Sequence, residues 1–291
     1  MSTAVYEIIT ERIIAELEKG NIPWEKPWTG IRTGAYSRST GRPYSILNQL
    51  ILTKPGEYLT FKQITEAGGI IRKGEKSQIV VFWKMMRVTE KNKDDKPVDK
   101  IIPLLRYYHV FHIDQCENVK PRFTQEELLP ANPIAEAESI LTDYSRRSGC
   151  TIINEKQDRA FYRPSTDTIH LPLREQFSRI EEYYSTAFHE AIHSTGHKTR
   201  LDRLSKTAHF GNEDYSKEEL VAEIGAAITM NELGIETQGS FRNSTAYVQS
   251  WLRALKNDHR LIVTAAGKAE KAVRLLLNLE SEKADPVEIA A

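Results

Sequence analysis

Apolar residues near the start of the chain recur at helical spacing. Val5, Ile8, Ile9, Ile13 and Leu17 fall on one face of residues 2–19, and Gly20-Asn21 closes that helix. Pro23, Pro27, Gly30, Gly34 and Gly41 interrupt every period from 21 to 43, which therefore reads as loop and turn. Short helical patterns follow at 45–52 and 60–67. Residues 77–88 and 101–113 are rich in β-formers, and the charged stretch 91–100 between them reads as a hairpin loop. The first α+β unit is expected to end near Ile113. Residues 114–133, with Pro121, Pro130 and Pro133, read as a connection.

The pattern then turns mostly helical. A helix is predicted over 134–147, short strands over 151–154, 159–163 and 168–171, and a turn at 164–167 between the last two. Helices follow through the segment around 189–193 and over 216–233, 244–257 and 261–279. Ser216 with Glu219 has capping-box spacing for the second of these. The fold class is α+β. Two domains are expected, 1–125 and a mostly helical 126–291 with a small β-sheet.

Composition narrows the class. The chain has 291 residues, 40% hydrophobic and 27% charged, with no apolar run long enough to span a bilayer and no signal-peptide pattern. Cys116 and Cys150 make neither a CxxC pair nor a disulfide framework, and a reducing cytoplasm is the expected setting. The net charge of zero conceals an asymmetry. Residues 1–125 hold 20 Lys and Arg against 14 Asp and Glu, and residues 126–291 hold 20 against 26. A basic front half suits an anionic partner.

The sharpest chemistry is His189-Glu190-Ala191-Ile192-His193. On a helix two His four apart share a face and can offer nitrogens to one Zn²⁺. Glu190 stands where a carboxylate can take a proton from a water on that metal. Ala187, Phe188, Ala191 and Ile192 supply the apolar stripe of the helix. A catalytic zinc site needs a third ligand, and His197, His209, Glu219 and Glu223 all lie downstream. Position 199, where a longer His motif would place its third His, is Thr199. A second helix beside the first can present Glu219, with Glu223 one turn later as an acceptor behind a ligand His or as the alternative ligand. Gly225, Ala226 and Ala227 imply that this helix packs closely. Tyr215 and His197 are candidates for stabilising an oxyanion. A two-His, one-carboxylate set also accepts Mn²⁺, Fe²⁺ or Co²⁺.

In the front half, Trp24, Trp28 and Tyr36 are interleaved with Lys26, Arg32, Arg38 and Arg42. Tyr44, Phe61, Lys62, Arg72, Lys73, Lys76, Trp83 and Lys84 continue the mixture. Aromatic rings stack on unpaired bases and Lys or Arg neutralise phosphates. Trp24, Trp28, Arg32, Arg38, Arg42, Tyr44, Lys62, Arg72, Lys73 and Lys76 are the candidate contacts to single-stranded DNA. Two other patterns carry nothing. Residues 69–77 lack true phosphate-loop spacing, and His109 and His112 point to opposite faces of a strand.

The run His189-Glu190-x-x-His193-x-x-Gly196-His197, followed by Glu219-Leu220-Val221-Ala222-Glu223-Ile224-Gly225-Ala226-Ala227, resembles the zincin-like metallopeptidase domain of ArdC-like antirestriction proteins. That resemblance favours Glu219 as the ligand. It also implies that 161–171 forms a β-edge along which an extended peptide pairs. Pro23-Trp24-x-x-Pro27-Trp28, the segment Gly41-Arg42-Pro43-Tyr44-Ser45-Ile46-Leu47-Asn48, Thr60-Phe61-Lys62-Gln63 and Gly69-x-x-Arg72-Lys73-Gly74-Glu75-Lys76 resemble the N-terminal domain of the same family. It implies single-stranded DNA as partner, a host protein such as a restriction component as substrate, and protection of incoming plasmid DNA. The alternative is a purely DNA-binding protective protein whose metal site is structural.

Overall fold

A computed structural model describes residues 3–27, 29–32, 34–91, 97–123, 130–204, 213–235 and 245–279. The class is α+β, as the hydrophobic periods predict. The front part runs α1 (Thr3–Glu18), β1 (Ala35–Ser37), α2 (Ile46–Ile51), β2 (Gly56–Leu59), α3 (Phe61–Glu66), β3 (Ile70–Ile71), β4 (Gln78–Lys91), β5 (Pro97–His112) and β6 (Cys116–Glu117). The back part runs α4 (Pro133–Ser148), β7 (Thr151–Glu155), β8 (Phe161–Arg163), β9 (Thr168–Pro172), α5 (Ile180–Thr195), α6 (Glu213–Glu232), α7 (Thr245–Asn257) and α8 (Leu261–Leu276).

Among the described residues the strands form three small sheets. β1-β2-β5-β4 forms one, parallel only between β1 and β2; β3 and β6 form another; β7-β9-β8 forms the third, with β7 and β9 parallel. Four departures from the sequence pattern have physical causes. β1, inside the presumed loop 21–43, and β2, β3 and β6 are two to four residues long, too short to display a period of two. The presumed connection from 114 belongs to the front part as far as 123, because β6 pairs with β3 and the Arg122 amide donates to Glu57 at 2.9 Å. β5 starts at Pro97, so the hairpin loop is shorter than 91–100. Ser216 lies inside α6, which begins at Glu213, and is therefore not its N-cap. The capping box at the start of α3, Thr60 with Gln63, is present instead.

One apolar core runs through both parts. Ile9, Ile13 and Leu17 of α1 and Leu50 of α2 are buried with Phe188, Ile192, Leu220, Ile224, Trp251, Leu255, Ile262 and Val273. α1 packs on α7, and α2 on α8. The last turn of α6 completes the junction. Glu232, 1% exposed, accepts from the backbone amides of Ile31 and Arg32, the latter at 2.8 Å, and pairs with Arg32 Nε at 2.8 Å. Asn231 Nδ2 donates to Lys26 O and Thr29 Oγ1, both at 2.9 Å. Glu232→Ala is expected to destabilise the protein by about 2–4 kcal/mol, since it strands two amides and a guanidinium. Denaturant unfolding checks this, and an unchanged midpoint would mean water replaces the carboxylate.

No described helix is long and apolar enough to cross a membrane.

Candidate metal centre

α5 and α6 build the centre by lying unusually close. Gly225 of α6 faces Ile192 of α5, and a Cβ at 225 would stand 2.9 Å from two of the Ile192 side-chain carbons. That approach brings one turn of each helix face to face. His189 Nε2 and His193 Nε2 are 3.1 Å apart, and their rings meet edge to face at 79°. Glu219 spans both, with Oε2 3.5 Å from His189 Nε2 and Oε1 3.3 Å from His193 Nε2. Among the described residues, these three side chains form the group whose ligand atoms converge, all within 4.8 Å of one another.

The triangle fits a metal ion. Ligands about 2.0–2.2 Å from a tetrahedral centre stand roughly 3.3–3.6 Å from each other, close to the separations found. The remaining imidazole nitrogens face carboxylates. Glu218 Oε1 lies 3.3 Å from His193 Nδ1 and is itself held by Arg203 Nη2 at 2.8 Å. Glu223 Oε1 stands 3.9 Å from His189 Nδ1, just beyond hydrogen-bond reach, and its buried Oε2 has no partner among the described atoms. Such acceptors fix the tautomer that presents Nε2 to a metal. Sequence spacing pointed to Glu223 but missed Glu218 and Arg203. The adjacent Glu218-Glu219 pair was a usable signal, because the loop carrying Arg203 folds back on it.

Electrostatics make this a place for positive charge. Burial opposes an imidazolium at His193, yet its hydrogen bonds to the Glu218 and Glu219 carboxylates outweigh that and raise the group to about 10. Burial likewise opposes ionisation of Glu219, and the two His overcome it, driving its carboxyl well below the usual range. Glu223 is raised, chiefly by burial. A divalent cation between these groups would offer positive charge to the same carboxylates. Glu190 is buried at 7% exposure, and its charge acts on both His189 and His193.

His197 lies in the turn after α5, where its Nδ1 is 2.9 Å from Thr199 Oγ1. Tyr215 is on the first turn of α6, half-buried. His209 falls outside the described residues. Arg200 pins the turn between β8 and β9 to α5 through Asp167 and the Ser194 carbonyl, the latter at 2.8 Å from Nε. β8 is an edge of its sheet and packs against α5.

The front-half candidates divide sharply. Trp24 is 1% exposed and meets Trp251 edge-on with centroids 5.2 Å apart, so it is core. Arg32 is engaged by Glu232, and Arg38 by buried Glu57. Tyr44 is half-buried against Tyr58. Trp28 lies outside the described residues. Arg42, Lys62, Arg72, Lys73 and Lys76 are exposed. The period and composition could not separate a buried Trp from an open one.

Residues 3–111 match the model of the N-terminal domain of the anti-restriction factor ArdC, and residues 136–268 match a zincin-like metallopeptidase model. A DNA primase TraC of Escherichia coli is 37% identical over 96% of this chain, which spans only 27% of that primase. The uncharacterised protein y4eC of Sinorhizobium fredii is 30% identical, covering 92% of this chain and 90% of its own length. The crystal structure of the antirestriction protein ArdC from plasmid R388, Mn(II)-bound, superposes with a TM-score of 0.74 at 35% identity, covering 94% of this chain and 97% of that one. Its metal-free form gives the same score at 36% identity. With both domains matched in order and a solved relative covered almost end to end, the chain belongs to the ArdC antirestriction family.

Proposed function

We propose that this protein protects incoming DNA from restriction in the cytoplasm, holding single strands with residues 1–125 and performing metal-dependent peptide hydrolysis with residues 126–291. The observation that carries the enzymatic reading is the triangle of His189, His193 and Glu219 with Glu190 buried beside it. His189 and His193 through Nε2, and Glu219 through its carboxylate, would hold a divalent cation. Zn²⁺ suits this nitrogen and oxygen set, and Mn(II) is the metal in the R388 relative. When bound, the cation supplies Lewis acidity to a water and to a peptide carbonyl.

The chain's own groups do the rest. Glu218, braced by Arg203, holds the His193 ring from behind, and Glu223 faces the His189 ring at 3.9 Å. β8 offers an open strand edge beside α5, where an extended segment of a host protein can pair through its backbone. Glu190 takes a proton from the attacking water and returns it to the leaving amine. Tyr215 and His197 remain the candidates for holding the oxyanion. The basic residues that stand exposed, Arg42, Lys62, Arg72, Lys73 and Lys76, suit the phosphates of a single strand.

Glu190→Gln tests the chemistry. It keeps the shape of the side chain and is expected to retain the metal while lowering peptide turnover by about 10²–10⁴-fold. Unchanged turnover removes Glu190 from this role. In cells, full protection by the same variant would leave DNA binding as the whole protective activity.

A further inference from the structure

β4 and β5 run far beyond the sheet that anchors them. β2 pairs with β5 only at Tyr58–His112 and Leu59–Phe111, whereas β4 and β5 stay paired from Gln78–Val110 to Lys91–Pro97. The outer part is thus a ribbon two strands wide. Directly opposite residues of an antiparallel pair share a face, and alternate residues along each strand repeat it. One such face begins in the core with Ile79 and Val81, 4% and 7% exposed. Further out, the same face carries Trp83 at 51%, Met85 at 63% and Ile101 at 59%, and Tyr107, level with Val81 on the neighbouring strand, is 41% exposed. Trp83 pairs with Leu105, which makes Tyr107 its diagonal neighbour.

Single exposed apolar residues are ordinary, but a contiguous row on one face marks a contact surface. We propose that this ledge is where unpaired bases of single-stranded DNA stack, with Trp83 and Tyr107 as the platforms. The proposal rests on the reading that the front half binds single strands, and it moves the stacking surface away from Trp24.

Charge selects the occupant. The described side chains of the two strands include Lys84, Arg87, Lys100 and Arg106 against Asp99. Arg87 shares the ledge face, although Asp99 lies 3.9 Å from it. Lys84 and Arg106 occupy the other face of a ribbon narrow enough for long side chains to reach its edges. At the base of the ribbon, exposed Lys73 and Lys76 lead straight into β4. Rings bordered by cations are the composition that binds single strands with little regard to sequence, and the cation excess favours a polyanion over a protein. Diagonal neighbours stand about 7–8 Å apart, which gives each ring room for its own base.

The test is fluorescence anisotropy of a labelled oligothymidylate of about 16 nucleotides against the full chain, repeated at several salt concentrations. Trp83→Ala and Tyr107→Ala are each expected to weaken binding about ten- to a hundredfold. The slope of affinity against salt should not change, because no phosphate contact is removed. Thermal unfolding should hardly move, and Trp83→Phe should restore most of the affinity. If the wild type binds and the double alanine variant binds equally well, the ledge is not the platform while the single-strand reading survives. If the wild type does not bind at all, both fall. Loss of protection in cells with DNA affinity intact would assign the ribbon to a protein partner and overturn the proposal.

Discussion

Glu219→Ala is expected to strip the protein of its metal. The Glu219 carboxylate bridges the two imidazoles, 3.5 Å from one Nε2 and 3.3 Å from the other. Without it the site keeps two nitrogens on one helix, a donor set that holds Zn²⁺ or Mn²⁺ far less tightly. Glu218→Ala and Glu223→Ala act differently, because each carboxylate lies behind an imidazole and away from the shared centre. Their expected loss is the ten- to hundredfold in metal affinity typical of groups that orient ligands. Metal analysis after dialysis against a weak chelator separates the cases: near-zero occupancy for Glu219→Ala, partial occupancy for the other two. Metal lost from Glu223→Ala and retained in Glu219→Ala would transfer the ligand role to Glu223. The Glu218→Ala variant carries a second readout, since Arg203 then loses its carboxylate partner, and a fall in thermal stability should accompany the weaker metal.

How far the sequence anticipated this centre follows from what a linear pattern can hold. Two His four apart on an apolar-striped segment declare a shared helix face, and Gly225-Ala226-Ala227 declares close packing. Both are local and both were legible. Glu218 required knowing that the chain after α5 turns back so that Arg203 reaches α6, an event set by the Gly196 turn and not by any period. The same limit governs the front half. α1 and the β4–β5 pair are long enough to display their periods, whereas β1, β2, β3 and β6 are not. Trp24 and Trp83 look equivalent in composition. Only the placement of α7 and α6 beside the 23–32 segment buries the first, and only the overreach of β4 and β5 leaves the second open.

Trp24→Ala turns that difference into a measurement. Trp24 sits in a short turn, Pro23–Glu25, with its ring 1% exposed against Trp251 and its carbonyl near the Asn231 amide at 3.4 Å. Removing the indole leaves a cavity between the front segment and α7, which neither helix nor turn can close without dragging the Asn231 and Glu232 contacts with it. The expected cost is about 3–5 kcal/mol, and for a chain of this size that means a melting temperature lower by roughly 5–8 °C. Single-strand affinity, measured well below the new transition, should stay within about twofold of wild type, because a ring in the core contacts no base. Trp24→Phe, which keeps an aromatic edge toward Trp251, should recover more than half of the lost stability. The opposite pattern, a normal melting temperature with affinity reduced tenfold, would require the 23–32 segment to peel away from α6 on binding. Glu232→Ala supplies the independent check on that event. A variant that loosens the segment would then bind DNA more tightly, whereas a segment fixed to the core predicts lower stability with unchanged affinity.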